Sequence, residues 1–142
     1  MATTTKTTTS KAPRTGKAQA NKSALRDAIA AMNDGSAETY LALFRPDARL
    51  HGFPEGIDDV QSLSQFHTAT ASLFPDASVT LDDAVAERDR VATRFTWRAS
   101  QAEGITLVAQ GGAIVRFADG RIAECWNMPS ELEAVASEPV AG

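Results

Sequence analysis

Few side chains in this sequence suit acid–base or nucleophilic chemistry near neutral pH. The chain of 142 residues has two histidines, His51 and His67, and one cysteine, Cys125. Histidine changes its charge near neutrality without any perturbation, so His51 is the first candidate for proton transfer. A reactive cysteine needs a nearby base or positive charge, and none is evident for Cys125, which favours a packing role. One cysteine excludes an intramolecular disulfide, and two histidines leave little material for a zinc site.

The elements that must position these residues are predicted as helices followed by strands. Apolar residues at helical spacing predict a first helix that begins at Ser23. Asp58 and Asp59 are expected to open a later helix, and residues after Ser130 to form a short helical turn. This order predicts an α+β fold, a curved antiparallel or mixed sheet packed with three N-terminal helices. The other expected elements are a helix over 38–44 and strands over 48–53, 79–86, 90–100, 105–118 and 121–128.

Charge divides the chain into a tail and an acidic domain. Residues 1–22 hold five basic residues, seven threonines and no acid, whereas residues 23–142 hold nine basic and 18 acidic residues. The first segment is too poor in apolar residues to offset its ordering entropy, so we expect a disordered basic tail over 1–22. The folded domain is expected over 23–133, with a frayed tail over 134–142. A basic tail joined to an acidic domain disfavours nucleic-acid binding.

Strand alternation assigns side chains to two faces of the predicted sheet. The odd positions from 91 to 99 and from 105 to 117 are mostly apolar or small, and we expect them to face the helices. Small residues such as Gly111 on that face would leave a hollow for a ligand or for larger neighbours. On the last strand, Cys125 shares one face with Asn127, and Glu124 shares the other with Trp126. Apolar residues on both faces suggest that a second copy of the chain covers the outer face.

Four stretches resemble the SnoaL-like polyketide cyclases, a family within the larger group that has the nuclear transport factor 2 cone fold. They are FRPDARLHGF at 44–53, FPD at 74–76, DRVATRFTWR at 89–98 and IVRFADGRIAECWN at 114–127. The similarity covers about residues 25–131, and its most specific piece is the last stretch. The resemblance implies the cone fold, a hydrophobic small-molecule ligand and a setting in bacterial secondary metabolism.

The resemblance also identifies positions where this chain departs from the family pattern. The family's acid–base Asp on the last strand corresponds to Asn127, and an amide cannot exchange a proton at neutral pH. A polar family position on the preceding strand corresponds to Ala113. In the related ketosteroid isomerases, the base Asp would fall at Gly52, beside His51. The resemblance therefore favours an enzyme whose standard cyclase mechanism is altered.

Together these observations predict a cofactor-independent enzyme that cyclises or isomerises a hydrophobic, oxygenated molecule in an apolar cone. His51 would move the proton and Asn127 would polarise a carbonyl group. The alternative is a non-catalytic ligand-binding or dimerisation module with the same fold. No metal site is expected. The residues expected to line the pocket are Phe53, His67, Phe95, Trp97, Gln101, Ala113 and Cys125.

Cellular partners and location follow from composition and patterning. No stretch approaches the roughly 18 apolar residues of a membrane span, and the N-terminus lacks the pattern of a secretory signal. We therefore expect a cytoplasmic protein that binds no membrane and no nucleic acid. Its expected partners are a hydrophobic small molecule and a second copy of the chain, which would form a homodimer through the outer sheet face.

Overall fold

The computed structural model describes the backbone of residues 2–136 and the side chains of residues 16–135. Helices precede most of the strands, as the sequence predicts. The helices are α1 (Ala2–Asn33), α2 (Ala37–Leu41) and α3 (Val60–Leu73). The strands are β1 (Phe44–His51), β2 (Ser78–Glu87), β3 (Arg90–Gln101), β4 (Ile105–Ala118) and β5 (Arg121–Ala136), with a 3₁₀ turn over Ala102–Gly104 between β3 and β4.

The five strands form one mixed sheet in the order β1-β5-β4-β3-β2. Strands β2 to β5 are an antiparallel meander, and β1 pairs in parallel with β5 at one edge. The turn between β4 and β5 consists of Asp119 and Gly120, both with positive φ values, of 54° and 80°. This conformation matches the right-handed twist of a hairpin, and Asp-Gly adopts it readily.

The hydrophobic core lies between the helices and one face of the sheet. Leu63 of α3, Val91 of β3 and Ile122 of β5 are its largest fully buried side chains. They form one cluster with Leu25 of α1 and Phe44 of β1, so both the helices and the sheet contribute to the core. This arrangement confirms the predicted α+β cone.

Local side-chain bonds fix where two helices meet the sheet. Asp59 accepts a hydrogen bond from the Ser62 backbone nitrogen at 2.8 Å, and the Ser62 hydroxyl bonds back to the Asp59 backbone nitrogen. This capping box starts α3 where the sequence predicted it. At the end of α1, the Asn33 side chain bonds both the nitrogen and the carbonyl oxygen of Val79, which ties α1 to β2.

Several element boundaries differ from the predictions. Helix α1 is continuous through Ser23, so that residue is not an N-cap, and the buried Ala18 and Asn21 show that packing begins earlier. The domain division at residues 22 and 23 stays a prediction. Helix α2 ends at Leu41, and β1 starts at Phe44 with Pro46 inside it, which an edge strand tolerates.

The predicted helical turn after Ser130 is wrong. Residues up to Ala136 extend β5, because their backbone groups pair with the first residues of β4, as in the pairs of Ala134 with Leu107 and Leu132 with Ala109. The tail expected over 134–142 therefore begins inside a strand. Its residues 137–142 lie outside the described part of the chain.

Candidate functional site

Strand β5 divides the candidate residues between two faces of the sheet. Cys125 is buried and pairs with Val115, so it faces the core, and Asn127 lies two residues further along on the same face. Glu124 and Trp126 lie on the opposite, outer face. The inner and outer faces of this strand therefore have to be considered as separate candidate sites.

His51 lies on the outer face of the sheet. Its neighbour Leu50 is buried in the core, and His51 itself pairs with Trp126 of β5. The imidazole stacks on the Trp126 ring, with centroids 5.6 Å apart and planes 20° apart. Its Nε2 lies 2.7 Å from Oε2 of Glu124. The sequence predicted that His51 and Asn127 act in one pocket. The structure instead places their side chains on opposite faces of the sheet.

Two arginines complete this outer cluster. Arg116 donates from its guanidinium to Oε1 of Glu124 at 3.2 Å, and the Arg90 guanidinium carbon lies 5.2 Å from the Trp126 ring centroid. Hydrogen bonds from His51 and then from Arg116 lower the pKa of Glu124, so its carboxylate is held in the charged form. In this outer cluster, Glu124 accepts hydrogen bonds from its neighbours, and Trp126 contacts two of the side chains, so each polar group has a partner within the cluster.

The inner face brings together a different set of polar side chains. The Tyr40 ring from α2 meets the His67 ring from α3 edge-on, with centroids 5.3 Å apart, and it meets Phe44 in the same way. Cys125 lies near enough that a negative charge on its sulfur would raise the pKa of Tyr40. The His67 ring therefore lies against Tyr40 of α2, and its role in lining a pocket stays a prediction.

Burial keeps all three of these groups neutral. It raises the pKa of the Tyr40 hydroxyl, and the nearby Cys125 adds to that shift. Burial also raises the pKa of the Cys125 thiol to about 12, so the thiol stays protonated near neutral pH. The pKa of His67 is lowered by burial, so its imidazole stays uncharged and able to accept a proton.

Sequence reasoning missed Tyr40. It is the one tyrosine of the chain, and it stands in a short apolar segment that predicted only a helix. Its position beside His67 depends on how α2 and α3 pack, about which the sequence carries no local signal. Only the residue type could have indicated a functional position, because tyrosine combines an apolar ring with a hydroxyl that usually forms a hydrogen bond when buried.

Asn127 is positioned by a close backbone approach. Its Nδ2 donates to the carbonyl oxygen of Gly52 at 3.4 Å. Gly52 has a φ of 80°, and a Cβ atom added there would overlap the Asn127 carbonyl oxygen. This contact explains why position 52 cannot carry the Asp that the related isomerases have there.

The remaining predicted pocket residues are spread along the inner face. Phe53 packs against the core cluster, and Ala113 pairs with Asn127. At Gly111 the predicted hollow is filled, because a Cβ there would come within 3.1 Å of the Phe95 ring. Trp97 contacts Phe74 edge-on at 5.4 Å. Gln101 is exposed at the end of β3.

Other features of the surface do not coincide with these sites. A shallow groove runs between α1 and the α2–β1 region, lined by Ala24, Asp27, Ala28, Thr39, Ala42 and Leu43. Within the described residues, no group of three histidine, cysteine or acidic side chains is arranged to hold a metal ion. None of the helices in that part of the chain is long and apolar enough to cross a membrane.

Comparison with solved structures defines the class of this protein. IdmH from Streptomyces antibioticus, a proposed polyketide cyclase, is 28% identical with a TM-score of 0.68, over 78% of this chain and 91% of that one. TsrD from Streptomyces laurentii is 25% identical with a TM-score of 0.67, over 78% and 89%. AclR from Streptomyces galilaeus, a proposed hydroxylase, is 21% identical with a TM-score of 0.68, over 80% of each chain, and shows the fold alone. The fold is that of the nuclear transport factor 2-like α+β proteins.

The sequence itself identifies the family within that class. Residues 25–125 match the SnoaL-like domain, and the chain belongs to this family. A comparison with curated proteins found no match. The resemblance stated from the sequence is therefore confirmed at the level of family and fold.

Proposed function

We propose that this protein is a cofactor-independent enzyme that cyclises or isomerises a hydrophobic, oxygenated small molecule inside the cone. The observation that carries the proposal is the similarity to IdmH, a proposed polyketide cyclase, across nearly all of that chain. Membership of the SnoaL-like family supports an enzyme-like role on a small molecule. The three relatives named above are Streptomyces proteins, which supports our assignment to bacterial secondary metabolism. The cytoplasmic location stays a prediction.

Asn127 is the residue that we assign to substrate orientation. Its amide faces the cone interior and is held at the Gly52 carbonyl by a long hydrogen bond of 3.4 Å. An amide held in place in apolar surroundings can donate to a carbonyl oxygen and stabilise negative charge as it develops there. The proton-transfer role predicted for His51 stays a prediction, and it would require chemistry at the outer face.

A turnover assay tests both assignments. The purified protein is incubated with linear polyketide-type ketones, and conversion is followed by mass spectrometry and NMR. We expect Asn127→Ala to lower the rate about 100-fold, as for the loss of one donor to a developing oxyanion. His51→Ala is the matched variant on the outer face, and a large loss of rate in this variant would indicate that the reaction takes place at the outer face. If both folded variants keep the full rate, the assignments are wrong.

One observation favours the alternative, a non-catalytic ligand-binding module. The inward-facing strand positions, as the structure describes them, carry apolar or uncharged side chains, including Asn127 where the family has its acid–base Asp. Ligand binding that raises the thermal midpoint without any product would support the module. Formation of product would exclude it.

We also propose that the outer sheet face forms a homodimer interface. Met128, which is 52% exposed, extends an apolar patch formed by Trp126 and its cross-strand partner Ile114. Nearby, Arg94 pairs with Asp83 at 2.7 Å, so the face carries both charges. A mixed face of this kind can be complementary to its own copy across a two-fold axis.

Sedimentation velocity tests the dimer. Met128→Glu places a charge in the apolar patch and should shift the protein to the mass of a monomer. Leu73→Glu is the control, because Leu73 is 73% exposed on α3 and outside the sheet face. It should leave the dimer intact. A wild-type monomer at all concentrations would contradict the proposal.

A further inference from the structure

The outer face of the sheet carries two neighbouring rows of side chains that cross all five strands. Residues that pair between adjacent strands lie side by side, and residues two positions apart along a strand share a face. From β2 to β1, in the order in which the strands lie, the central row consists of Val85, Ala92, Ile114, Trp126 and His51. In the same order, the charged row beside it consists of Glu87, Arg90, Arg116, Glu124 and Arg49.

The central row exposes apolar surface to solvent. Val85 is 67% exposed, and Ala92 beside it is exposed as well. Ile114 and Trp126 are half-buried, although both point away from the core, which lies on the opposite face with the helices. Apolar surface that crosses a whole sheet suits a second sheet, because covering it removes apolar area from water.

The charged row is complementary to its own reverse. From β2 to β1 its signs are negative, positive, positive, negative and positive. When a second copy of the row lies against it in the opposite order, four of the five positions face an opposite charge. Arg90 then faces the partner's Glu124, and Glu87 faces the partner's Arg49. Arg116, in the middle, faces its own copy, and it is already bonded to Glu124 at 3.2 Å.

One of two possible two-fold axes produces this reversed order. If the central rows of two copies cover each other, an axis parallel to the strands keeps the charged row opposite itself and reverses it. An axis perpendicular to the strands preserves the order and brings the charged row against a third row, on the other side of the central row. The third row consists of Asp83, Arg94, Gly112 and Met128.

The perpendicular axis brings like charges together. Glu87 would face the partner's Asp83, and the two carboxylates would repel each other. Arg90 would face the partner's Arg94 in the same way. With the axis parallel to the strands, Arg94 instead stays paired with its own Asp83 at 2.7 Å and faces no like charge in the partner's third row. Electrostatic complementarity therefore favours the parallel axis.

Arg90 and Glu124 both have bonding capacity left for a partner. Arg90 is exposed, and within the described residues its guanidinium contacts the Trp126 ring but forms no ion pair. It is also the cross-strand partner of Arg116, and like charges in such positions repel each other. The two Glu124 oxygens accept one hydrogen bond each, from His51 and from Arg116, and a carboxylate can accept about four. A second copy would supply a carboxylate for Arg90.

We propose that two copies of the chain pack outer face against outer face about a two-fold axis parallel to the strands, and that Arg90 of each copy donates to Glu124 of the partner subunit. The proposal rests on the homodimer proposed above and adds its axis and the register of its charges. Ile114 lies at the axis against its own copy. Trp126 lies over the partner's Ala92, whose small side chain leaves space for the indole ring.

Two charge reversals test this register between molecules. Arg90→Glu places a carboxylate opposite the partner's Glu124, and Glu124→Arg places a guanidinium opposite the partner's Arg90. Each variant alone should dimerise at least about tenfold more weakly than the wild type. When the two variants are mixed, both contacts between unlike copies join opposite charges, so mixed dimers should form with an affinity within about threefold of the wild type. Native mass spectrometry separates mixed dimers from homodimers.

A second pair of variants keeps the test independent of bonds within one copy. Glu124→Arg removes two hydrogen bonds of the outer cluster, whereas Arg49 and Glu87 are exposed and form no ion pair among the described residues. Arg49→Glu and Glu87→Arg should likewise weaken each homodimer and form mixed dimers. Arg26→Glu is the control, because Arg26 is exposed on α1, away from the sheet face, and it should leave dimerisation unchanged.

The outcomes separate the register from the homodimer itself. If the wild type dimerises but neither mixture favours mixed dimers, the register is wrong and the homodimer stands. Tighter dimerisation of Arg90→Glu alone would indicate the perpendicular axis and would also overturn the proposal. A wild-type chain that is monomeric at every concentration would exclude the homodimer and this register together.

Discussion

The two faces of strand β5 differ in how their polar groups are satisfied. On the outer face, Glu124 bonds both His51 and Arg116, and the Trp126 ring contacts both His51 and Arg90. On the inner face, Cys125 is an uncharged packing group beneath Tyr40. Residues one position apart in the sequence thus belong to different chemical environments.

This difference shows where ligand chemistry can be expected. Outer groups that bond one another gain little from a small ligand, because binding would first have to break existing contacts. On the inner face, Tyr40 and His67 contact each other edge-on through their rings, without a charged partner among the described residues. His51 is close in sequence to positions that are catalytic in the family, but its side chain lies on the outer face of the sheet. Closeness in sequence therefore did not predict the face on which His51 lies.

The largest expected effect contrasts packing on the two faces. Ile122 is 0% exposed, so Ile122→Ala should lower the free energy of unfolding by about 2–5 kcal/mol through lost burial and a residual cavity. Met128→Ala removes a longer side chain from the outer face of the same strand and should cost less than about 0.5 kcal/mol in the monomer. Urea unfolding measures both. Equal losses would mean that the outer face is packed as tightly as the core.

A second variant tests the backbone contact behind Asn127. Gly52→Ala should destabilise the fold through its positive φ and through overlap with the Asn127 carbonyl oxygen. Gly56→Ala has a φ of 92° and open space around the added methyl group, so it should show only the conformational cost of about 1–2 kcal/mol. The urea midpoints of the two variants should differ clearly. Similar midpoints would show that β1 and β5 separate easily at this point.

His67 should make stability depend on pH on the acid side. Burial lowers its pKa below the ordinary value of 6.5 in the folded state. The unfolded chain therefore binds the proton more readily, and stability should fall as the pH drops from about 6.5 through the folded-state pKa. The measurement is the urea midpoint against pH, with His67→Gln as the variant that loses this part of the dependence. An unchanged profile in His67→Gln would place the ring in solvent.

The smallest expected effect belongs to the outer cluster. At protein concentrations low enough for the chain to be monomeric, Arg90→Ala removes the cation above Trp126 and should cost about 0.5–1 kcal/mol, because the contact is then exposed to solvent. Arg98→Ala, on the same strand and the same face, is the control. A loss above about 2 kcal/mol for Arg90→Ala would indicate that this face is buried in solution, as the proposed dimer requires, and protein concentration should then alter the result.

Local patterns predicted most of the elements. The capping residue Asp59 and the Asp119-Gly120 turn stand where the sequence placed them, because caps and tight turns depend on a few neighbouring residues. The predicted start of α1 and the predicted end of β5 were wrong, and the end of β5 is decided by long-range pairing with β4. Residues after Ser130 carry little strand signal, and they extend β5 because β4 offers unpaired backbone groups beside them.

The sequence by itself determined the family, the α+β order and the two alternating faces of each strand, since these depend on composition, periodicity and local motifs. Only the tertiary structure decided which groups meet. It placed His51 against Glu124 on the outer face and brought Tyr40 of α2 to His67 of α3. The physical reason is that a strand's period of two fixes relative orientation, whereas the packing of helices onto the sheet determines which face is the interior.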